Sequence, residues 1–273
     1  MNRRAQKSGP DRRRRRAAGP SELDEPTFSE EQGVRYLHFG SPWIQGAMRI
    51  RSPFTLELEY TRQMMAWLLF LDPPEAGGEQ AIGTLGLGAG SLTRFCLKHT
   101  DSLVHAVEWN PSVTAACRAY FRLPADNERF MVTHDDAGAW VEDIANRGSC
   151  RALMVDLYDH AARGPVRDSV EFYRGCRRVV SANASQAGIV VVNLFGAHDS
   201  YEHNHRNLDE AFEGRVAVLP EIEEGNRVAI ALAGPALRID AQALLARADE
   251  VEHRYGLPAR KWARSLVPEL ARL

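Results

Sequence analysis

From residue 80 onward, short apolar runs alternate with longer stretches of mixed polarity. The runs near 81–87, 103–108, 129–134, 152–157, 188–194, 215–219 and 227–233 predict strands, and helical segments separate the earlier ones. Strands joined through helices form a parallel sheet covered on both faces. Only residues 220–226 separate the last two runs, too few for a helical crossover, so these two strands are expected to pair as an antiparallel hairpin. Segments 240–255 and 258–270 read as terminal helices, and there is no internal repeat. Upstream, residues 34–50 alternate in short pieces broken by Gly40, Ser41-Pro42 and Gly46, the pattern of small antiparallel strands. Across 53–71 the period changes: Leu56, Tyr60, Met64, Trp67 and Leu68 recur at helical spacing. The pattern divides the chain into a leader and linker (1–32), a β extension with a connecting helix (33–78) and a Rossmann-like α/β domain (79–273).

Composition narrows the class. Hydrophobic residues at 44% and charged residues at 26% suit a globular protein, and no apolar run approaches the length of a membrane span. The four cysteines are widely spread with no CxxC pair, so they read as buried thiols in a reducing compartment. Residues 1–20 lack the apolar stretch of a secretory signal, and a cytoplasmic protein is expected. The same segment carries eight basic side chains against Asp11 alone, a local charge of +7 that leaves −9 on the remainder of a chain of net −2. Such a leader cannot build a core and is expected to be disordered. The acidic remainder argues against a nucleic-acid binder and suits a cationic substrate.

The first predicted strand ends in Thr84-Leu85-Gly86-Leu87-Gly88-Ala89-Gly90-Ser91 and runs straight into a helix. Glycines there let backbone approach a ligand, and the next strand ends in Glu108, about 20 residues on, where a carboxylate can accept both ribose hydroxyls. The spacing is G-x-G-x-G, not the G-x-G-x-x-G of dinucleotide sites. It suits an S-adenosyl-type cofactor, which has no pyrophosphate to seat at the helix N-terminus. The closing hairpin agrees, being the ending of an S-adenosylmethionine-dependent methyltransferase-type sheet. The third strand ends in His134-Asp135-Asp136, where Asp136 can accept from an adenine amino group, cap the following helix, or do both. The fourth ends in Asp156-Leu157-Tyr158-Asp159, two carboxylates at the edge where open sheets bind ligands. An amine nucleophile is protonated at neutral pH, so attack on a sulfonium carbon needs a base and an anionic hold, and Asp156 and Asp159 can supply both. The N-P-P-Y and D-P-P-Y signatures of nucleic-acid or glutamine N-methyltransferases are absent. His198, His203 and His205 lack the cysteine or acid that would complete a metal set, and Ser91 lies in no G-x-S-x-G elbow; no metal and no hydrolase chemistry are expected.

Taken in order, Glu59-Tyr60-Thr61-Arg62, Gly86-Leu87-Gly88-Ala89-Gly90-Ser91-Leu92, Val107-Glu108-Trp109-Asn110-Pro111, Asp156-Leu157-Tyr158-Asp159, Glu171-Phe172-Tyr173 and Val191-Val192-Asn193-Leu194 resemble the spermidine synthases and their spermidine synthase-like relatives, over residues 34–232. The resemblance implies decarboxylated S-adenosylmethionine as donor, with Gly86, Gly88 and Gly90 forming its loop, Glu108 on the ribose, Asp136 near the adenine and Gln45 close by. It makes Asp156 the base in aminopropyl transfer to an amine such as putrescine, places Tyr60 and Asp159 at the acceptor, and implies a homodimer. Three departures stand out. Ala89 replaces the loop's acid, Tyr60-Thr61-Arg62-Gln63 replaces the Y-Q-E acceptor motif, and Asp159-His160 replaces Asp-Pro. Arg62 would repel a diamine if it faced the pocket. A methyltransferase using intact S-adenosylmethionine and a catalytically idle nucleoside-binding homologue are the alternative readings.

Overall fold

A computed structural model of the chain describes residues 25–40, 43–158, 167–183, 185–195, 198–237 and 239–273. Its centre is a seven-stranded sheet built from β4 (Ala81–Leu85), β5 (Leu103–Val107), β6 (Phe130–Thr133), β7 (Cys150–Val155), β8 (Gly188–Phe195), β9 (Val216–Val218) and β10 (Asn226–Ala233), in the spatial order β6-β5-β4-β7-β8-β10-β9. The first five strands run parallel; β10 pairs antiparallel with both β8 and β9. The order reverses beside β4, so the loops after β4 and β7 open at the point where such sheets bind ligands. Arrangement and ending are those expected, a methyltransferase-type α/β sheet. The predicted hairpin is realised with β10 inserted between β8 and β9.

Strand periodicity divides the core into two layers. β7 sends Ala152 and Met154 to one face and Leu153 and Val155 to the other. Helices α4 (Ala137–Glu142), α5 (Val170–Val180) and α6 (His198–Ala211) cover the second face. The first is covered by α2 (Ser91–His99), α3 (Pro111–Tyr120), α7 (Ala241–Tyr255) and α8 (Ala259–Leu266). Each enclosed Val, Ile or Leu contributes about 1.5–3 kcal/mol of burial, which is why both-faced strands read as unbroken apolar runs.

The N-terminal extension is a three-stranded antiparallel sheet, β1 (Thr27–Glu31), β2 (Val34–His38) and β3 (Gly46–Arg49). It begins earlier than residue 33. All five positions of β1 are exposed, so the strand has no buried face to mark it in the sequence. Leu37 and Met48 of this sheet join the main core. The helix expected over 53–71 is also corrected: α1 spans only Glu59–Gln63 and continues as a 3-10 segment, Met64–Leu69, whose six side chains are all buried. Residues three apart, such as Met64 and Trp67, share a face in a 3-10 helix as they do in an α-helix, so the spacing does not separate the two. All four cysteines are buried and free, and burial pushes the thiols of Cys96, Cys117 and Cys150 up to about 12. Among the described residues, no helix is long and apolar enough to cross a membrane.

Candidate active site

The glycine loop connects β4 to α2 and is held from two sides by backbone. Gly86 has φ +88°, and a Cβ there would lie 2.2 Å from the Asp156 carbonyl oxygen; at Gly88, φ +49°, it would lie 2.8 Å from the Gln45 carbonyl oxygen. The glycines therefore do more than clear space for a ligand: they let the loop touch both Asp156 and Gln45. Gly90 is the N-cap residue of α2. Strand β3 lies over the loop, since a Cβ on Gly46 would come within 2.6 Å of the Ala89 Cβ, and Ser91 Oγ donates to the Ala47 carbonyl at 2.8 Å. From beneath, the buried Arg94 guanidinium donates to the Ala89 and Pro53 carbonyls, and the Cys117 thiol donates to the Gly88 carbonyl at 3.0 Å. Ala89 itself is buried under β3.

Glu108 follows β5 and faces this loop. Its Oε2 accepts from Leu87 N at 3.0 Å and its Oε1 from Asn110 N at 2.8 Å. Burial raises its pKa, and these backbone donors oppose that rise. Asn110, Leu87 and Trp109 all lower the Glu108 pKa through backbone bonds, and the carboxylate lies at the loop where a nucleoside's ribose hydroxyls could reach it, so a nucleoside fits the residues present. Trp109 beside it is exposed.

Asp136 is the N-cap residue of α4, its Oδ1 accepting from Ala139 N at 3.1 Å, while Oδ2 pairs with Arg167. The capping role is thus realised. Arg167, 31 residues downstream, has no motif that announces it.

Asp156 leaves β7 beside Gly86, its amide donating to the Leu85 carbonyl at 2.9 Å. Its carboxylate is gripped by two neutral donors: Tyr60 Oη gives to Oδ2 at 3.2 Å and Asn193 Nδ2 to Oδ1 at 2.9 Å. Burial raises the Asp156 pKa, and the bonds from Asn193 and Tyr60 pull the other way. The Tyr60 phenol, buried beside this carboxylate, is held well above its ordinary pKa and stays a donor. These bonds take two of about four acceptor positions on the carboxylate. Arg62 does not face Asp156: its guanidinium donates to the Leu56 and Glu57 carbonyls and pairs with Glu59. Asp159, the second carboxylate expected here, lies outside the described residues.

Sequence reasoning gave no site role to two further supports of this centre, Asn193 and Tyr158. Asn193, 3% exposed, lies inside the otherwise apolar β8 and accepts at Oδ1 from Asn226 Nδ2 at 2.9 Å. Tyr158 Oη donates to the Asn193 carbonyl at 2.7 Å and accepts from Phe195 N at 2.6 Å. A buried amide closing a run of valines was the available signal. Phe195 meets the rings of Tyr158 and the half-exposed Trp43 edge-on, at centroid distances of 6.2 and 6.5 Å. Among the described residues no group of three or more His, Cys, Asp and Glu side chains could hold a metal ion.

No protein-family model matches the chain. Among solved structures, it superposes on a probable spermidine synthase from Corynebacterium glutamicum with TM-score 0.65 and 18% identity, over 89% of this chain and 91% of that one. Human methyltransferase-like protein 13 in complex with SAH matches with TM-score 0.63 and 21% identity, over 73% of this chain and 93% of that one. At those identities the likeness speaks to the fold. A curated relative, the polyamine aminopropyltransferase of Chromobacterium violaceum, is 35% identical over 249 residues, covering 91% of each chain. With a methyltransferase-type sheet, a glycine loop flanked by Glu108 and Asp156, and this similarity along nearly its whole length, the chain belongs to the polyamine aminopropyltransferase family and is a transferase.

Proposed function

We propose that this protein transfers the aminopropyl group of decarboxylated S-adenosylmethionine to an amine, putrescine being the leading acceptor, and releases methylthioadenosine. One observation carries the reading: a half-buried carboxylate, Asp156, abuts the glycine loop, and two neutral hydrogen-bond donors oppose the rise that desolvation gives its pKa. A cationic partner would only block it, whereas an incoming ammonium can give it a proton. The family membership supplies the reaction class.

In this reading Glu108 accepts the ribose hydroxyls, Gln45 and the loop residues Gly86, Gly88 and Gly90 shape the donor cleft, and Asp136 lies near the adenine while capping α4. Tyr60 and Asn193 hold the Asp156 carboxylate still. As Asp156 takes a proton from the substrate ammonium, the freed nitrogen lone pair forms a bond to the carbon next to the sulfonium. The C–S bond breaks with its electron pair going to sulfur, so methylthioadenosine leaves neutral. Aiming and desolvating the amine is the enzyme's main task, because the sulfonium is already a good leaving group. Asp159 is proposed to hold the acceptor's charge. Ala89 carries no acid toward the donor's amine, so that amine must be held elsewhere in the cleft.

We also propose a homodimeric, cytoplasmic enzyme that needs no metal, with sedimentation in solution testing the dimer. The decisive trial of the reaction incubates the protein with decarboxylated or intact S-adenosylmethionine and a panel of di- and polyamines, with products read by mass spectrometry. Methylthioadenosine appearing together with an aminopropylated amine supports the proposal. S-adenosylhomocysteine and a methylated product would replace it with methyl transfer, and donor binding without turnover with an idle homologue.

A further inference from the structure

The Asp156 carboxylate lies at one end of a side-chain hydrogen-bond chain that crosses two strands. Asn226 Nδ2 donates to Asn193 Oδ1 at 2.9 Å, and Asn193 Nδ2 donates to Asp156 Oδ1 at 2.9 Å. Both amides are buried, at 7% and 3% exposure, and they face each other diagonally across the antiparallel β8–β10 pair, where Asn193 is opposite Val228. Neither contributes apolar area to a strand pair that is otherwise almost wholly apolar. Two polar side chains in such a place are costly unless their bonds are made.

A carboxamide has one donating and one accepting end, and only one orientation of Asn193 gives Asp156 a donor. The opposite orientation would set its carbonyl oxygen against the carboxylate. In the observed arrangement Asn226 gives its N–H to the Asn193 oxygen, which leaves the Asn193 N–H for Asp156. We propose that Asn226 is a positioning residue, which orients the Asn193 amide so that Asp156 is held ionised and ready to accept the substrate's proton. The inference rests on the aminopropyl-transfer reading for its kinetic consequence only.

The other groups around Asp156 leave this role open to the amides. Tyr60 from α1 and Tyr158 from the same loop are phenols whose pKa values burial raises far above neutrality; from the β4 side, Gly86 presents only backbone. Arg62 is turned to Leu56, Glu57 and Glu59, and Asp159 lies outside the described residues.

The test is Asn226→Asp, which replaces the donor with an acceptor of nearly identical shape and forces Asn193 to turn. The acid limb of kcat is expected to move up by about one pH unit or more, so that kcat at a pH on that limb falls about tenfold while the donor KM changes less than about twofold. In an Asn193→Leu background the same substitution should shift the limb far less, as the relay is already cut. An equal shift in both backgrounds, or none in either, overturns the proposal. Should Asn226→Asp not fold, Asn226→Leu frees Asn193 without adding charge: a smaller shift in the same direction supports the relay and an unchanged profile overturns it. Infrared titration of the Asp156 carboxyl band, assigned by difference from Asp156→Asn, reads the same shift without turnover. If the wild type transfers no aminopropyl group, the functional reading fails, and the infrared titration alone decides the relay.

Discussion

At the scale of single residues, Asp156 combines two opposing demands. Burial favours its neutral form, whereas the proposed role as base needs it ionised, and the bonds from Tyr60 and Asn193 offset part of the rise that burial causes. Asp156→Asn should lower turnover by about 10²–10⁴-fold, the usual span for a positioned acid or base, with methylthioadenosine affinity measured by calorimetry nearly unchanged. The same substitution has a stability signature. A carboxyl whose folded pKa is raised adds stability below its unfolded pKa and loses that contribution as pH rises through the folded value. The permanently neutral Asp156→Asn variant should therefore melt above the wild type at neutral pH, and the gap should close below about pH 4. Glu108 has a different task. Its two oxygens each accept a backbone N–H, and glutamine can answer only one of them. In the proposed ribose role glutamine also trades one charge-assisted bond from a ribose hydroxyl, at about 1.5–3 kcal/mol, so Glu108→Gln should weaken methylthioadenosine binding about tenfold or more, again read by calorimetry.

At the scale of elements, the site depends on loops pressed against one another. A Cβ at Gly86 would meet the Asp156 carbonyl at 2.2 Å, backbone against backbone, at a φ of +88°. Gly86→Ala should cost about 2–4 kcal/mol in chemical denaturation and disturb Asp156 directly. Gly77→Ala, also at positive φ but with nothing within 4 Å, should cost only about 1–2 kcal/mol and leave activity intact. Legibility in the sequence followed burial. Strands enclosed on both faces, the closing hairpin and the glycine turn were readable because each needs a distinctive residue pattern. β1 was not, being exposed at every position, nor was the 3-10 geometry of Met64–Leu69, because residues three apart such as Met64 and Trp67 share a face in either kind of helix. Among the candidate site residues, Glu108 and Asp156 stand out in the sequence by their places at strand ends. The Tyr60 bond to Asp156 spans 96 residues, and the pairing of Asn193 with Asn226 depends on strand register, so neither geometry is local enough to read.

At the scale of the whole molecule, the extension and the sheet act together. β3 covers the glycine loop, Gln45 reaches Gly88, and α1 delivers Tyr60 to a carboxylate on the main sheet. Residues 1–24 carry most of the chain's uncompensated positive charge and no residue assigned to the site, so deleting them should leave kcat and donor KM unchanged in a steady-state assay. The central claim, a base-assisted aminopropyl transfer at Asp156, is tested most directly in a single turnover. Excess enzyme is mixed with decarboxylated S-adenosylmethionine and putrescine, and methylthioadenosine and spermidine are followed together by mass spectrometry for the wild type and Asp156→Asn. The expected result is equimolar formation of both products by the wild type, and a rate at least about a hundredfold slower in the variant despite full donor binding. Equal rates in the two proteins, or no spermidine from a wild type saturated with donor, would contradict it.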